Sequence, residues 1–271
     1  MLSHSEMAVI AKRIRRNIIK QVAHAQSGHI GGALSGVEIL TTLYFNEMNL
    51  TDKNVSDLER DKFVLSKGHA SALLYAVLKE KGFLTQEDLM TFRLINSKLQ
   101  GHPNMNYVKG VDMSTGSLGQ GLSAAVGMAL SNQIHKNDFR TYALVGDGES
   151  QEGQIWEAAM AAAHYKLDNL CAVLDVNGLQ IDGDVREVMN PFPFKEKWEA
   201  FNWHVIEIDG HDYNQIEAAF KEARNTKGKP TMILAKTVKG KGVSFMENNY
   251  GWHGVAPKPE EEAAALKELE D

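Results

Sequence analysis

Asp147 and Asn177 stand 30 residues apart, in Gly-Asp-Gly (146–148) and Asp-Val-Asn-Gly (175–178), and each motif follows an apolar run. A carboxylate, a side-chain amide oxygen and a backbone carbonyl are hard oxygen donors, the kind a near-octahedral Mg²⁺ takes alongside diphosphate oxygens. Glycines on both sides of Asp147 let the main chain approach a phosphate. The pair reads as a clamp for a divalent metal and a diphosphate.

Four histidines sit in glycine-rich or turn-prone contexts: Ser27-Gly28-His29-Ile30-Gly31-Gly32, Ser66-Lys67-Gly68-His69-Ala70, Gly101-His102-Pro103 and Gly251-Trp252-His253-Gly254. Imidazoles donate or accept protons near neutrality, so a cluster of them suits a polar substrate rich in hydroxyls. None shows the close paired spacing of a zinc site, which makes metal binding by these rings the weaker reading. Ser114 to Gly121 places glycines ahead of a helical pattern, where a backbone could touch a ligand. It lacks the Gly-Lys-Ser/Thr of a P-loop and the setting of a dinucleotide fingerprint. Glu152, at the start of a helical pattern running to His164, suits a helix dipole without any further role. Lys239 could neutralise a phosphate, although an exposed loop lysine is the simpler expectation.

These residues need a scaffold that gathers their loops. Short apolar runs at Phe63 to Leu65, Tyr142 to Val145, Leu170 to Leu174, His204 to Ile208 and Thr231 to Leu234 read as strands. Helical periodicity over Ser5 to Ala25, Val37 to Phe45 and Ser71 to Leu78, and between most of the strands, predicts an α/β fold. Its sheet is mostly parallel, with helices on both faces. Ligands of such sheets lie beyond the carboxyl ends of the strands, where Asp147 and Asn177 fall. Two adjacent strand ends would bring them together.

Composition excludes other classes. With 271 residues, 43% of them hydrophobic, the chain can bury a full core. A net charge of −6 and dispersed basic residues argue against nucleic-acid binding. The basic run Lys12, Arg13, Arg15 and Arg16 is expected on the solvated face of an amphipathic helix. Cys171, the lone cysteine, reads as a small core residue in a reducing compartment. No stretch is apolar enough for a membrane span or a signal peptide, so a cytoplasmic protein is expected. Glu260 to Asp271 reads as a terminal helix or frayed end.

Taken in order, Ser-Gly-His-x-Gly (27–31), Leu-Ser-Lys-Gly-His-Ala (65–70), Gly-His-Pro (101–103), Thr-Gly-Ser-Leu-Gly-Gln-Gly (115–121), Gly-Asp-Gly-Glu-x-x-Glu-Gly (146–153), Asn-Gly-Leu-x-Ile-Asp-Gly (177–183), Lys-Thr-x-Lys-Gly-x-Gly (236–242) and Trp-His-Gly (252–254) resemble the N-terminal part of transketolase, a thiamine diphosphate enzyme. The resemblance implies a thiamine diphosphate-binding fold, with one diphosphate-binding domain over residues 1–271 opened by a helical segment. It also implies that Asp147, Asn177 and the Leu179 carbonyl hold Mg²⁺, which Ca²⁺ or Mn²⁺ could replace. Gly148, His69 and Lys239 would face the diphosphate, with Asn177 and His253 also at the cofactor. Gly116, Ser117 and Leu118 would line its rings. His29, His102 and His253 would face substrate hydroxyls, and Glu152 would join a carboxylate contact across a subunit interface.

Ile30 and Ser117 stand where the family commonly has proline, a change in backbone stiffness rather than chemistry. On this resemblance the family's pyrimidine-binding and C-terminal domains are expected to lie outside this chain. The resemblance therefore implies one subunit of a split transketolase, working with a separately encoded C-terminal subunit in an α2β2 assembly. The substrates would be sugars or sugar phosphates, pentose phosphates by default. Other readings are the alpha subunit of a 2-oxoacid dehydrogenase, a deoxyxylulose phosphate synthase relative suggested by Asp209-Gly210-His211-Asp212, and a non-catalytic cofactor-binding module.

Overall fold

A computed structural model describes residues 1–270. The helix α1 (His4–Ala25) begins with a capping box in which the Ser3 hydroxyl accepts from the Glu6 N–H and the Glu6 carboxylate accepts from the Ser3 N–H. Short helices α2 (Ile30–Ser35) and α3 (Val37–Thr42) follow, then β1 (Lys62–Leu65), α4 (Ser71–Glu80), α5 (Gln86–Leu89) and α6 (Gln120–Ile134). Next come β2 (Thr141–Gly146), α7 (Gly153–His164), β3 (Leu170–Val176), a two-stranded ribbon β4 (Leu179–Gln180) and β5 (Gly183–Asp184), α8 (Val185–Met189) and α9 (Phe194–Ala200). The chain closes with β6 (His204–Asp209), α10 (Tyr213–Asn225), β7 (Thr231–Lys236) and α11 (Pro259–Glu268). The terminal helix expected from Glu260 is α11, and Asp271 lies outside the described residues.

The main sheet is wholly parallel, in the order β1-β2-β3-β7-β6. Strand alternation divides its side chains between two cores. Tyr142, Leu144, Cys171, Val173, Ile233 and Ala235 face α1, α3, α4 and α10, whereas Ala143, Val145, Ala172, Leu174, Met232 and Leu234 face α6, α7 and α9. Cys171 is fully buried, and burial pushes its thiol up to about 12, which leaves it unreactive. No helix among the described residues is long and apolar enough to cross a membrane.

The basic run on α1 departs from expectation. Of Lys12, Arg13, Arg15 and Arg16 only Arg13 is exposed. Arg15 is 7% exposed, paired with Glu38 at 2.7 Å, and its Nε donates to the Lys241 carbonyl at 2.9 Å. Arg16 caps α11 by donating to the carbonyls of Leu266 and Leu269. Helical spacing places such residues on one stripe, but α11 and the 241–247 loop cover that stripe.

Register sets up the site. In the β2–β3 pair Gly146 lies opposite Asp175, so Asp147 and Asn177 leave neighbouring strands at the same end. The loops after β1 and β7 gather there as well, along with the turn before α2. They pack main chain against main chain: a Cβ on Gly68 would stand 2.7 Å from the Gly116 nitrogen, and one on Gly121 2.6 Å from the Ser66 Cα.

Candidate thiamine diphosphate site

A cavity of about 340 Å³ opens at the carboxyl ends of β2 and β3. Asp147 is at its base, 2% exposed. The amides of Gly148 and Gly178 donate to its carboxylate at 2.8 and 2.5 Å, and among the described residues it has no ion-pair partner. Burial, reinforced by the nearby Asp175, raises its carboxyl to about 6. Asn177 donates from Nδ2 to Asp175 at 3.0 Å, which turns its Oδ1 toward the Leu179 N–H, 3.1 Å away. A buried carboxylate without a direct ion pair, beside a held amide oxygen and a carbonyl, is an all-oxygen donor set that fits a hard divalent metal completed by diphosphate oxygens.

Lys239 is 2% exposed, not an exposed loop lysine. Its Nζ donates to the Leu179 carbonyl at 2.9 Å and to His253 Nδ1 at 3.0 Å. A cation thus already leans on one expected metal ligand. Burial pulls the Lys239 ammonium down to about 8, against the opposing pull of Asp147.

Three of the four histidines converge. The rings of His29, His69 and His253 form a triangle with centroid separations of 5.2, 5.5 and 5.3 Å. Burial, then Arg93 and His102, lowers His29 to about 4, while burial and Lys239 lower His253 to about 3. His69 is likewise held well below the usual imidazole range, mainly by burial. At neutral pH these rings are uncharged, each offering one N–H and one lone pair. His102 is exposed and packs its ring on Gly116, where a Cβ would come within 3.0 Å of it. Gly116, Leu118, Gly148, Leu179 and Glu152 line the cavity, whereas Ser117 is exposed and, like His102, stands outside the lining. Among the described residues no group of three His, Cys, Asp or Glu side chains is arranged to hold a metal.

Sequence reasoning passed over the framework beneath these groups. Lys67, 2% exposed, forms an ion pair with the fully buried Asp175, which also accepts from Ser35, Thr237 and Asn177. Glu149, 3% exposed, accepts from Ser66 Oγ, the Gly119 N–H and the Gly146 N–H, and so ties three loops together. Both pairs lie inside the strand-end motifs, but only the strand order shows that they meet.

A third support explains His211. Its Nδ1 bonds to Glu38 at 2.9 Å, and its Nε2 accepts from the Val238 N–H at 2.9 Å, which fixes the loop that carries Lys239. His211→Ala is expected to weaken thiamine diphosphate binding up to roughly tenfold, because the part-buried Val238 N–H loses its acceptor, at a cost on the order of 1 kcal/mol, and the loop that carries Lys239 loses its brace. Calorimetric titration checks this, and an unchanged affinity would count against the brace.

A loop cluster with this donor set, at the carboxyl ends of a parallel sheet, defines a thiamine diphosphate-binding domain. Residues 6–269 match the family model described as transketolase, thiamine diphosphate binding domain. The chain belongs to the transketolase family, as its N-terminal part, and is a thiamine diphosphate-dependent transferase. It is 46% identical to a 6-deoxy-6-sulfo-D-fructose transketolase subunit of Clostridium sp., covering 96% of this chain and 94% of that one. It is 42% identical to an apulose-4-phosphate transketolase subunit of Phocaeicola vulgatus, covering 96% and 92%. Crystalline transketolase from Campylobacter jejuni superposes with a TM-score of 0.94 at 36% identity. That match takes in 99% of this chain but 43% of the longer protein.

Proposed function

We propose that this chain is the cofactor-anchoring subunit of a two-chain transketolase, passing a two-carbon ketol unit from a ketose to an aldose. The observation that carries this reading is the buried carboxylate of Asp147, without a direct ion pair among the described residues, beside the uncharged triangle of His29, His69 and His253. Bound thiamine diphosphate supplies an acidic thiazolium carbon that carries the two-carbon fragment. Asp147, Asn177 Oδ1 and the Leu179 carbonyl hold Mg²⁺ on its diphosphate, with Ca²⁺ or Mn²⁺ able to stand in. The Gly148 amide, His69 and Lys239 face the diphosphate oxygens, and Gly116 and Leu118 face the rings, with Ser117 in the same loop but outside the cavity lining. His29, His253 and, from the rim, His102 donate to substrate oxygens. An uncharged N–H donor already in place stabilises oxyanion character as the carbon–carbon bond breaks and re-forms.

Two relatives named as subunits are about as long as this chain, and a full transketolase is more than twice as long. This supports a separate C-terminal subunit that completes the site, which we place in an α2β2 assembly with Glu152 at the interface. The relatives' names carry a sulfonated and a phosphorylated sugar, which supports a substrate with an anionic terminus. A cytoplasmic setting accords with the free, buried Cys171. Purified chain mixed with its partner is expected to transfer a ketol unit from ketose to aldose, read by product analysis. Transfer by the chain alone would overturn the two-chain reading.

A further inference from the structure

Arg93 stands outside the cofactor cavity, yet its side chain is tightly placed. It adopts φ +59°, uncommon for a residue with a Cβ, and its N–H donates to the Leu99 carbonyl at 2.8 Å. Its guanidinium lies over the Phe92 ring and against Gly101, where a Cβ would stand 2.7 Å from Cζ. From there Nη1 donates to Ser27 Oγ at 3.2 Å, and Nη2 reaches the Gly101 carbonyl and His29 Nδ1, both at 3.4 Å.

The contact with His29 decides where that ring carries its proton. A guanidinium has N–H groups but no lone pair, and it stays charged in proteins, so it can only donate. A proton on His29 Nδ1 would set two N–H groups against each other at 3.4 Å, and a charged ring would add two like charges. The lone pair is therefore on Nδ1 and the N–H on Nε2. Among the described residues the His29 ring has no other hydrogen-bond partner to oppose this. His29 lines the cofactor cavity whereas Arg93 does not, so the ring turns its acceptor out to Arg93 and keeps its N–H edge for the cavity. His253 repeats the pattern, with Lys239 Nζ 3.0 Å from its Nδ1. Two rings with centroids 5.5 Å apart thus offer the same nitrogen to one volume.

We propose that Arg93 is a positioning residue that fixes His29 as its Nε2–H tautomer, so that His29 and His253 form a matched pair of N–H donors to neighbouring oxygens of the substrate. The use at a substrate rests on the transketolase reading; the tautomer itself does not. The first test therefore uses the chain alone, without cofactor, labelled with ¹⁵N-histidine. Two-bond ¹⁵N–¹H correlation spectra tell a protonated ring nitrogen from one with a lone pair, and His29→Gln assigns the signal. The wild type is expected to show His29 protonated on Nε2, and Arg93→Lys, which keeps a cationic donor, to show the same. Arg93→Met should admit a measurable share of the Nδ1–H form. Arg93→Glu, which puts an acceptor in the donor's place, should move the proton to Nδ1 once pH is raised until the ring is neutral. Nδ1–H or an even mixture in the wild type overturns the proposal whether or not any variant folds, and so does a wild-type pattern in Arg93→Met.

The second test assays the chain with its partner at a pH where the spectra show the ring neutral. Ketol transfer is expected to fall roughly tenfold or more in kcat/KM for Arg93→Glu, as an oxyanion loses a donor, and to stay near the wild-type value for Arg93→Lys. Equal losses in the two variants would show that Arg93 only supports the fold and would overturn its positioning role. Absence of transfer by the wild-type pair would refute the transketolase reading and leave the spectra to decide the tautomer.

Discussion

Asp147→Ala is expected to abolish the thermal stabilisation that thiamine diphosphate and Mg²⁺ confer on the wild-type chain. A ligand at a hundred times its dissociation constant raises stability by about 2.7 kcal/mol, and the variant should show none of this. The substitution removes the carboxylate that is to hold the metal and also strips the Gly148 and Gly178 amides of their acceptor. Asp147→Asn removes the charge while keeping an acceptor oxygen for one of the two amides. The Asp147 carboxyl is held at about 6 in the metal-free protein, above its unfolded value. A folded value raised in this way means that stability present at low pH is lost as pH rises toward and through 6. At pH 8 Asp147→Asn should therefore melt close to the wild type without ligand, because relief of the buried charge, on the order of 1–3 kcal/mol at most, offsets the NH₂ donor it turns on one of the two amides, and it should still fail to respond to cofactor. Differential scanning calorimetry with and without ligand reads both quantities. A normal ligand response in either variant would remove Asp147 from the metal site.

The second large effect is expected beneath the site. Asp175→Ala leaves the Lys67 ammonium buried among the Gly32 carbonyl and Ser35 without its counter-ion. Removing one member of a buried pair costs about 3–5 kcal/mol, which in a chain of this size is a drop in Tm of roughly 10 °C. The same change frees Asn177 Nδ2, so cofactor binding should weaken at temperatures where the variant is still folded. Replacing both partners, as Lys67→Met with Asp175→Leu, should recover much of the stability but not the binding, because the amide stays unanchored. Burial opposes ionisation of Asp175, but Lys67 and the hydrogen bonds outweigh it and hold the carboxyl below its ordinary value. The pair's contribution is therefore present above the unfolded carboxylate value and lost as pH falls through the folded one. Urea melts at a series of pH values check this, and a single-variant loss below about 1 kcal/mol would contradict a tightly coupled pair.

The meeting of Asp147 and Asn177 at one end of the sheet was legible because chemistry and period coincide there. Apolar runs ending in Gly-Asp-Gly and Asp-Val-Asn-Gly announce strand ends, and β2 and β3 are neighbours, as two converging ligands require. The histidine loops were legible as chemistry, and three of them meet. Sheet order was not. Nothing local says that β7 enters between β3 and β6, yet that insertion brings Thr237 to Asp175 and Lys239 to Leu179. Arg15 misled for a related reason. A helical stripe of charge looks solvated until a segment more than 200 residues away covers it, and the Lys241 carbonyl does so. Lys239 was misjudged in the same way, since a lysine between glycines carries no local sign of burial.

The main-chain packing of the 66–68, 116 and 119–121 loops bears on how this enzyme can diversify. Where a methyl group would meet another backbone at 2.6 or 2.7 Å, no side chain can be accepted and no neighbour can yield. Those positions are closed to drift, and a randomised library built on them should return almost no folded clones. The rim from 94 to 100 has no such constraint, with Leu94, Ile95, Asn96, Lys98 and Gln100 exposed. Sequence change, in nature or in directed evolution, should therefore accumulate along that rim while the glycine framework stays fixed.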